Sequence, residues 1–468
     1  MGFYLLDRRG GDALPFHRPN LNSGRMTVPD EPLAQTGCDV LVAGGGPAGS
    51  TIAALLSERG YRVVLVEKEK HPRFHIGESL LPLNVPLFDR LGIRDEIERI
   101  GMRKHGAEFV SPYHGKTVKF DFANAWDKKF PYAYQVRRSE FDLVLLKNAI
   151  AKGANVIEEC RISNVEFLPE GGAVATGKDS EGQIRKWRTR FFVDATGRDT
   201  LLANKLAIKK RNPKHNSAAM FGHFSGAYRP PGKEAGNIVL FWFDHGWFWF
   251  IPLADGTTSI GAVCWRYYMK SRKTDPTTFF TDTIKMCPQI ADRLEGATLA
   301  TPVWSTGNYS YRAERMTGQS FIILGDAFAF IDPVFSTGVY LAMNSALLGA
   351  EAVDTCLTQP HKAARALKRF DSEVRRGIDT FSWYIYRVTT PALRNLLMKP
   401  RNYFRVEDAL LSLLAGDIFG RTPIRPSLAV FKAFYYYNSL LHLRTSFAAW
   451  RRRKRAIGSP ADEAGSSA

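Results

Sequence analysis

Two stretches of this chain set glycine, a carboxylate and small hydroxyl residues where an apolar run meets a helical period. In the first, the apolar residues 40–43 lead into Gly44-x-Gly46-x-Ala48-Gly49. A helical stretch over 50–59 and a second apolar run over 62–66 follow, closing on Glu67. Gly44 permits a tight turn, Gly46 lets the backbone approach a pyrophosphate, and Gly49 allows a helix to pack close to a strand, with Ala48 beside it in the turn. Glu67, at the end of the second run, can accept both hydroxyls of an adenosine ribose. The alternative is a glycine-rich turn with a purely structural role. In the second stretch, the apolar residues 321–324 run into Gly325-Asp326-Ala327, and a loop reaches Ser336-Thr337-Gly338 ahead of a helical apolar period from 339. A helix beginning there aims free N–H groups and the positive end of its dipole into the loop, which suits an anion. Gly338 could equally do no more than relieve a turn.

These residues need a parallel sheet to carry them, because ligands of open α/β sheets lie beyond the carboxyl ends of the strands. A third strand end, Val193-Asp194-Ala195-Thr196-Gly197, has the same acidic–small–Gly close. Asp326 is placed to hydrogen-bond a ribityl hydroxyl, a group that NAD lacks, so FAD is the expected dinucleotide. The fold class is therefore α/β, with a Rossmann-like FAD-binding domain.

The 468 residues suffice for two or three domains. Residues 1–36 and 457–468 read as disordered, with Met26 an alternative start. Residues 37–215 and 306–360 read as two parts of the FAD-binding domain, and 361–456 as a helical region. Residues 216–305 alternate aromatic and β-branched residues and predict an inserted antiparallel sheet, with further strands near 107–136. The five cysteines are scattered without metal spacing, which points to a reducing, cytoplasmic setting and to no metal. The formal charge is +18, concentrated in part at Arg451-Arg452-Arg453-Lys454-Arg455. Anionic membrane and acidic partner proteins are the expected attractions; no nucleic-acid module accompanies the charge.

The three strand ends, in this order, resemble the flavoprotein monooxygenases of the aromatic-hydroxylase type over residues 38–353. The resemblance implies a discontinuous FAD domain with an inserted substrate sheet. It also implies that an arginine of Gln135-Val136-Arg137-Arg138-Ser139-Glu140-Phe141-Asp142 lies along the cofactor, with Arg138 the better match and a surface arginine the alternative. Within the sheet, Trp247-Phe248-Trp249-Phe250-Ile251-Pro252 places both tryptophans on one face of a strand. Core packing would explain them. The run also carries the W-x-W-x-I-P pattern of FAD-dependent halogenases, in which Trp247 and Trp249 would close off the flavin.

Residues 101–109 hold Lys104, which taken alone is a solvated charge. Halogenases resembling this chain carry their essential lysine here, downstream of a segment like His75-Ile76-Gly77-Glu78-Ser79-Leu80-Leu81-Pro82. The resemblance implies that Lys104 directs a hypohalous acid, or a haloamine, at the substrate. It implies that Thr337 and Gly338 hold chloride or bromide, and that a separate reductase supplies FADH2. Halogenases acting on free tryptophan carry a glutamate where this chain has Phe335, so the phenol- and pyrrole-directed branch is the better match. The expected substrate is an electron-rich aromatic, free or tethered to a carrier protein. An aromatic hydroxylase, an alkene reductase of the geranylgeranyl-reductase kind and a flavin-bearing, membrane-associated assembly factor are the rival expectations. For the basic C-terminal helices, packing over the substrate entrance is set against an interfacial role with Trp450 at an anionic surface.

Overall fold

The structure is a computed structural model that describes residues 36–212, 215, 217–307 and 310–457. All but the last residue of the expected N-terminal extension and all but the first residue of the expected tail lie outside the described residues; Thr36, expected in the extension, instead opens a strand. The β-branched and apolar residues at 40–43, 63–66, 191–193 and 321–323 leave these strands no polar face. They accordingly form the buried centre of a parallel sheet, in the order Phe321–Ile323, Ile184–Asp194, Thr36–Ala43, Val63–Val66, Asn155–Ile157. Cys160–Phe167 and Ala173–Asp179 extend it with antiparallel pairing. Helices Pro47–Glu58 and Thr337–Thr358 pack against each other. The first follows directly on the strand Thr36–Ala43 and the second follows a loop from Phe321–Ile323, and both N-termini border one cavity.

The second sheet runs Thr298–Leu299, Ser217–Ser225, Thr258–Trp265, Gly246–Pro252, Ile238–Phe243, Gly106–Ser111, Lys116–Asp121. All pairs are antiparallel except that Ile238–Phe243 lies parallel to Gly106–Ser111, so a strand from the first third of the chain joins the sheet. Both faces of the central strands are buried. Trp242, Trp247 and Trp249 belong to the main core, while the alternating Phe241, Phe248 and Phe250 form a second one with Phe280 and Ile284. That second core corrects the expectation of sheet throughout 216–305. Residues 266–293 instead form helices Arg266–Lys270, Pro276–Lys285 and Pro288–Arg293. The middle one is started by Asp275, whose carboxylate accepts the N–H groups of Thr277 and Thr278, and by a proline at its first position.

The C-terminal region is helical: Ala363–Ile385, Pro391–Met398, Val406–Ala415, Arg425–Leu441 and Leu443–Ile457. Among the described residues no helix is long and apolar enough to cross a membrane. None of their His, Cys, Asp and Glu side chains cluster as a metal site.

Candidate active site

A cavity of about 630 Å³ opens between the carboxyl ends of the parallel strands and the inner face of the second sheet. Gly44, Gly46, Ala48, Glu67, Arg138, Trp247, Trp249, Asp326, Thr337 and Gly338 all line it. Two residues named from the sequence do not, Gly49 and Lys104.

The three glycines of the first loop have separable roles. Gly44 has a φ of +102°, and a Cβ there would lie 2.3 Å from the Ala195 carbonyl oxygen. A Cβ on Gly49 would lie 1.8 Å from the Gly44 carbonyl oxygen, so this glycine serves helix packing and not the cavity. Gly46 is different: the nearest protein atom to its Cβ would be Arg73 Nη2, at 3.6 Å. No neighbouring chain demands a glycine at 46, and the open space lies on the cavity side at the start of helix Pro47–Glu58. This arrangement fits a bound pyrophosphate, for which close backbone approach is the requirement. Glu67 anchors the loop, since its Oε2 accepts the Gly45 N–H at 2.6 Å and its Oε1 the Glu69 N–H at 3.0 Å. Each oxygen retains a second acceptor site, enough for a pair of ribose hydroxyls.

Arg138 is buried, not a surface arginine. Its Nε and Nη2 donate to the two carboxylate oxygens of Asp142 at 2.9 and 3.0 Å, and its Nη1 donates to the Ile76 carbonyl at 2.8 Å. Arg73 adds a contact to Asp142 at 3.3 Å. Burial alone would raise the Asp142 pKa, but the two guanidinium groups hold it below the ordinary carboxylate value. Asp326, half-buried at the cavity wall without such a partner, is pushed up to about 6 by desolvation, against the weaker fields of Arg198 and Arg138.

At the third loop Ser336 takes a left-handed φ of +57°, and Thr337 opens the helix two residues earlier than the apolar period suggested. The preceding turn is held by Asp332, which accepts the Val334 N–H at 3.1 Å and lies 2.7 Å from His215 Nε2. A Cβ on Gly338 would meet nothing within 4 Å, so the first N–H groups of this 22-residue helix face open space.

Opposite stand the two tryptophans, their ring centroids 6.1 Å apart. Trp249 donates Nε1–H to Ser259 Oγ at 3.1 Å and lies across Gly261, where a Cβ would come within 2.1 Å of the indole. They are at once core residues and cavity wall.

Lys104 ends the short strand Met102–Lys104, paired with Ala133–Gln135. It is 1% exposed. Its ammonium donates to Ser79 Oγ and to the Leu80 carbonyl, both at 2.9 Å, with the Phe122 ring centroid at 5.4 Å. Both oxygen partners are neutral, and desolvation pushes its pKa down to about 7. Ser79 itself lines the cavity, so a single side chain separates Lys104 from the cavity wall.

Residues 39–128 and 116–390 match the sequence profile of the tryptophan halogenase family. The chain belongs to that family. It is 38% identical to a tryptophan 2-halogenase of Chondromyces crocatus over 68% of its own length, and spans 61% of that relative. It is 29% identical to a 1H-pyrrole-2-carbonyl-[peptidyl-carrier protein] chlorinase of Pseudomonas fluorescens, covering 81% of this chain and 89% of the relative. Among solved structures it resembles the myxobacterial chondrochloren halogenase, an FAD-dependent halogenase, with a TM-score of 0.72, 32% identity, and 86% and 96% of the two chains covered. FAD is thus the cofactor of the family, and the cavity residues fit it.

Several residues of the site escaped the sequence reading. Arg73 and Asp142 complete the Arg138 clamp. Glu78, buried at the cavity wall, lies with Oε1 2.9 Å from His223 Nε2, while Glu78 Oε2 and His223 Nδ1 have no partner among the described residues. Glu78 and Ser79 were detectable as polar residues inside an otherwise apolar segment; nothing local marks His223.

Proposed function

We propose that this halogenase-family enzyme is two-component: a separate flavin reductase supplies FADH2, and the substrate is an electron-rich phenolic or pyrrolic ring. The observation that carries the reading is Lys104, an amine buried behind the cavity wall among neutral partners. Reduced FAD, when bound, supplies two electrons that, with two from halide, reduce O2 to water and leave the halogen electrophilic. The remaining steps belong to the chain. The N–H groups of Thr337 and Gly338, at the positive end of a long helix, hold the halide. Trp247 and Trp249 wall off that side, so the organic substrate does not meet the oxidant directly. Lys104 would receive the halogen, either as donor to hypohalous acid or, as the free amine, by forming an N–halogen bond while the O–halogen bond breaks and the hydroxide leaves with the amine proton as water. A pKa near 7 keeps a substantial free-amine fraction for the second route. Attack by the ring breaks that bond, and the nitrogen regains as its proton the one that the ring loses. Glu67 and Asp326 hold ribose and ribityl hydroxyls, and Arg138, pinned by Asp142, borders the cofactor.

The pyrrolyl-carrier chlorinase among its relatives supports a carrier-tethered substrate, and the positive charge would speed docking of an acidic carrier. A second reading, an indole substrate, is favoured by the similarity to a tryptophan 2-halogenase; Phe335 in place of the glutamate speaks for the first. We place the enzyme in the cytoplasm.

The deciding experiment supplies FADH2, O2 and bromide with a free phenol, a pyrrolyl carrier protein and tryptophan in parallel, and reads products by mass spectrometry. Brominated phenol or pyrrole is the expected result. Bromination of tryptophan alone overturns the substrate assignment, and hydroxylated product without bromination overturns the halogenase reading. Lys104→Ala should oxidise FADH2 as before and yield no brominated product.

A further inference from the structure

The C-terminal helices carry a surface that the halogenation site does not use. Residues 391–457 hold thirteen Lys and Arg against three acids, a net +10 within the chain's +18, and no acid occurs between Asp417 and Asp462. Helix Leu443–Ile457 lies against helices Pro391–Met398 and Arg266–Lys270, yet its large apolar side chains Leu443, Phe447 and Trp450 remain outside. Leu443, Phe447 and Trp450, at i, i+4 and i+7, are 62%, 49% and 54% exposed. Leu440 and Leu441, at the end of the preceding helix, are 68% and 62% exposed. Exposed large apolar residues gathered in one place mark an interaction surface.

The pattern of charge identifies the occupant. Arg444 and Arg451 lie one helical position beyond Leu443 and Trp450, flanking the apolar stripe. Arg451 stacks its guanidinium on Phe447, 4.7 Å from the ring centroid, and Phe447 stacks on Trp450. A stripe of leucine and aromatic side chains bordered by arginine, in a stretch of sequence without an acid from 418 to 461, matches a helix lying in the interface of an anionic bilayer. An acidic protein would require the charges but not five exposed leucine and aromatic side chains.

We infer that the consecutive helices Arg425–Leu441 and Leu443–Ile457 dock the enzyme on an anionic lipid surface through Leu440, Leu441, Leu443, Phe447 and Trp450. The contact depends on this surface alone and stands apart from the catalytic reading.

The test is co-sedimentation of the FAD-loaded protein with vesicles of phosphatidylglycerol and phosphatidylcholine, and with phosphatidylcholine alone. Binding to the mixed vesicles only is expected. The double variant Leu443→Ser/Phe447→Ser keeps the net charge and alters only exposed side chains, and should retain FAD; its partition should fall about tenfold or more. Equal binding by variant and wild type would reduce the effect to adsorption of a basic protein and overturn the inference. So would a wild type that ignores the vesicles, whether it binds an acidic carrier protein instead or forms a dimer in light scattering that the serines dissolve.

Discussion

The cavity wall and the chamber behind it each bury a full charge, and they treat it in opposite ways. Asp142 is enclosed with two guanidinium groups and stays ionised below the ordinary carboxylate range. Lys104 is enclosed with a hydroxyl, a carbonyl and a phenyl ring, and its pKa falls to about 7. Burial penalises both charges; only the partners differ. A paired charge is scaffolding, because its state does not change near neutrality. An ionisable group surrounded by neutral dipoles is poised to change state, which is the condition for chemistry.

The contrast can be broken at four points. The largest effect should come from Gly46→Val, which fills the open cradle where a Cβ would meet only the end of the Arg73 side chain, at 3.6 Å. FAD affinity should be lost while the fold and the Lys104 chamber persist, read by flavin absorbance and circular dichroism. Gly49→Val, whose Cβ has no room, should instead fail to fold. A G46V protein that retained wild-type flavin affinity would contradict the pyrophosphate assignment.

Next comes Lys104→Met. Halogenation should drop by about 10²- to 10⁴-fold, the usual contribution of a positioned proton-transfer or nucleophilic group. Its stability should move the other way. The folded-state pKa is about 7 against 10.5 for an ordinary lysine, so the unfolded chain binds more protons between those values. Wild-type stability therefore rises with pH across that window, the penalty being fully present below about pH 7. The methionine variant should lose this slope in denaturant titrations at pH 7 and 10.

Arg138→Leu should be the strongest structural lesion at the cavity wall, about 3–5 kcal/mol at neutral pH, because it leaves the Asp142 carboxylate buried with only Arg73. Asp142 has a lowered folded pKa, so its stabilisation is present above the unfolded carboxylate value and is lost as pH falls through the folded one. The gap between variant and wild type should therefore narrow in acid. A gap independent of pH would mean that packing, and not the charge pair, dominates.

Ser79→Ala should have the smallest effect, about 1 kcal/mol of stability. Removing one of the two oxygens that accept from the ammonium disfavours the charged form, so the Lys104 pKa should fall further. The inflection in the pH profile of halogenation should shift to lower pH by a fraction of a unit.

The sequence alone determined the features that span a few adjacent residues. The Gly44–Gly49 turn, the Glu67 strand end, the helix from 339 onward and the shared face of Trp247 and Trp249 follow from backbone geometry and side-chain period. These are local constraints, legible wherever they occur. The tertiary structure decided the rest. Phe280 and Ile284 became helical because they cap a second core on the far face of the sheet, a demand invisible in the alternating pattern on either side of them. Glu78 meets His223 across 145 residues, and Lys104 takes its partners from 24 and 25 residues away. A pKa depends on burial and on which dipoles close around the group. Both are set by distant segments meeting, so Lys104, which taken alone reads as a solvated charge, shows its burial and its lowered pKa only in the folded chain.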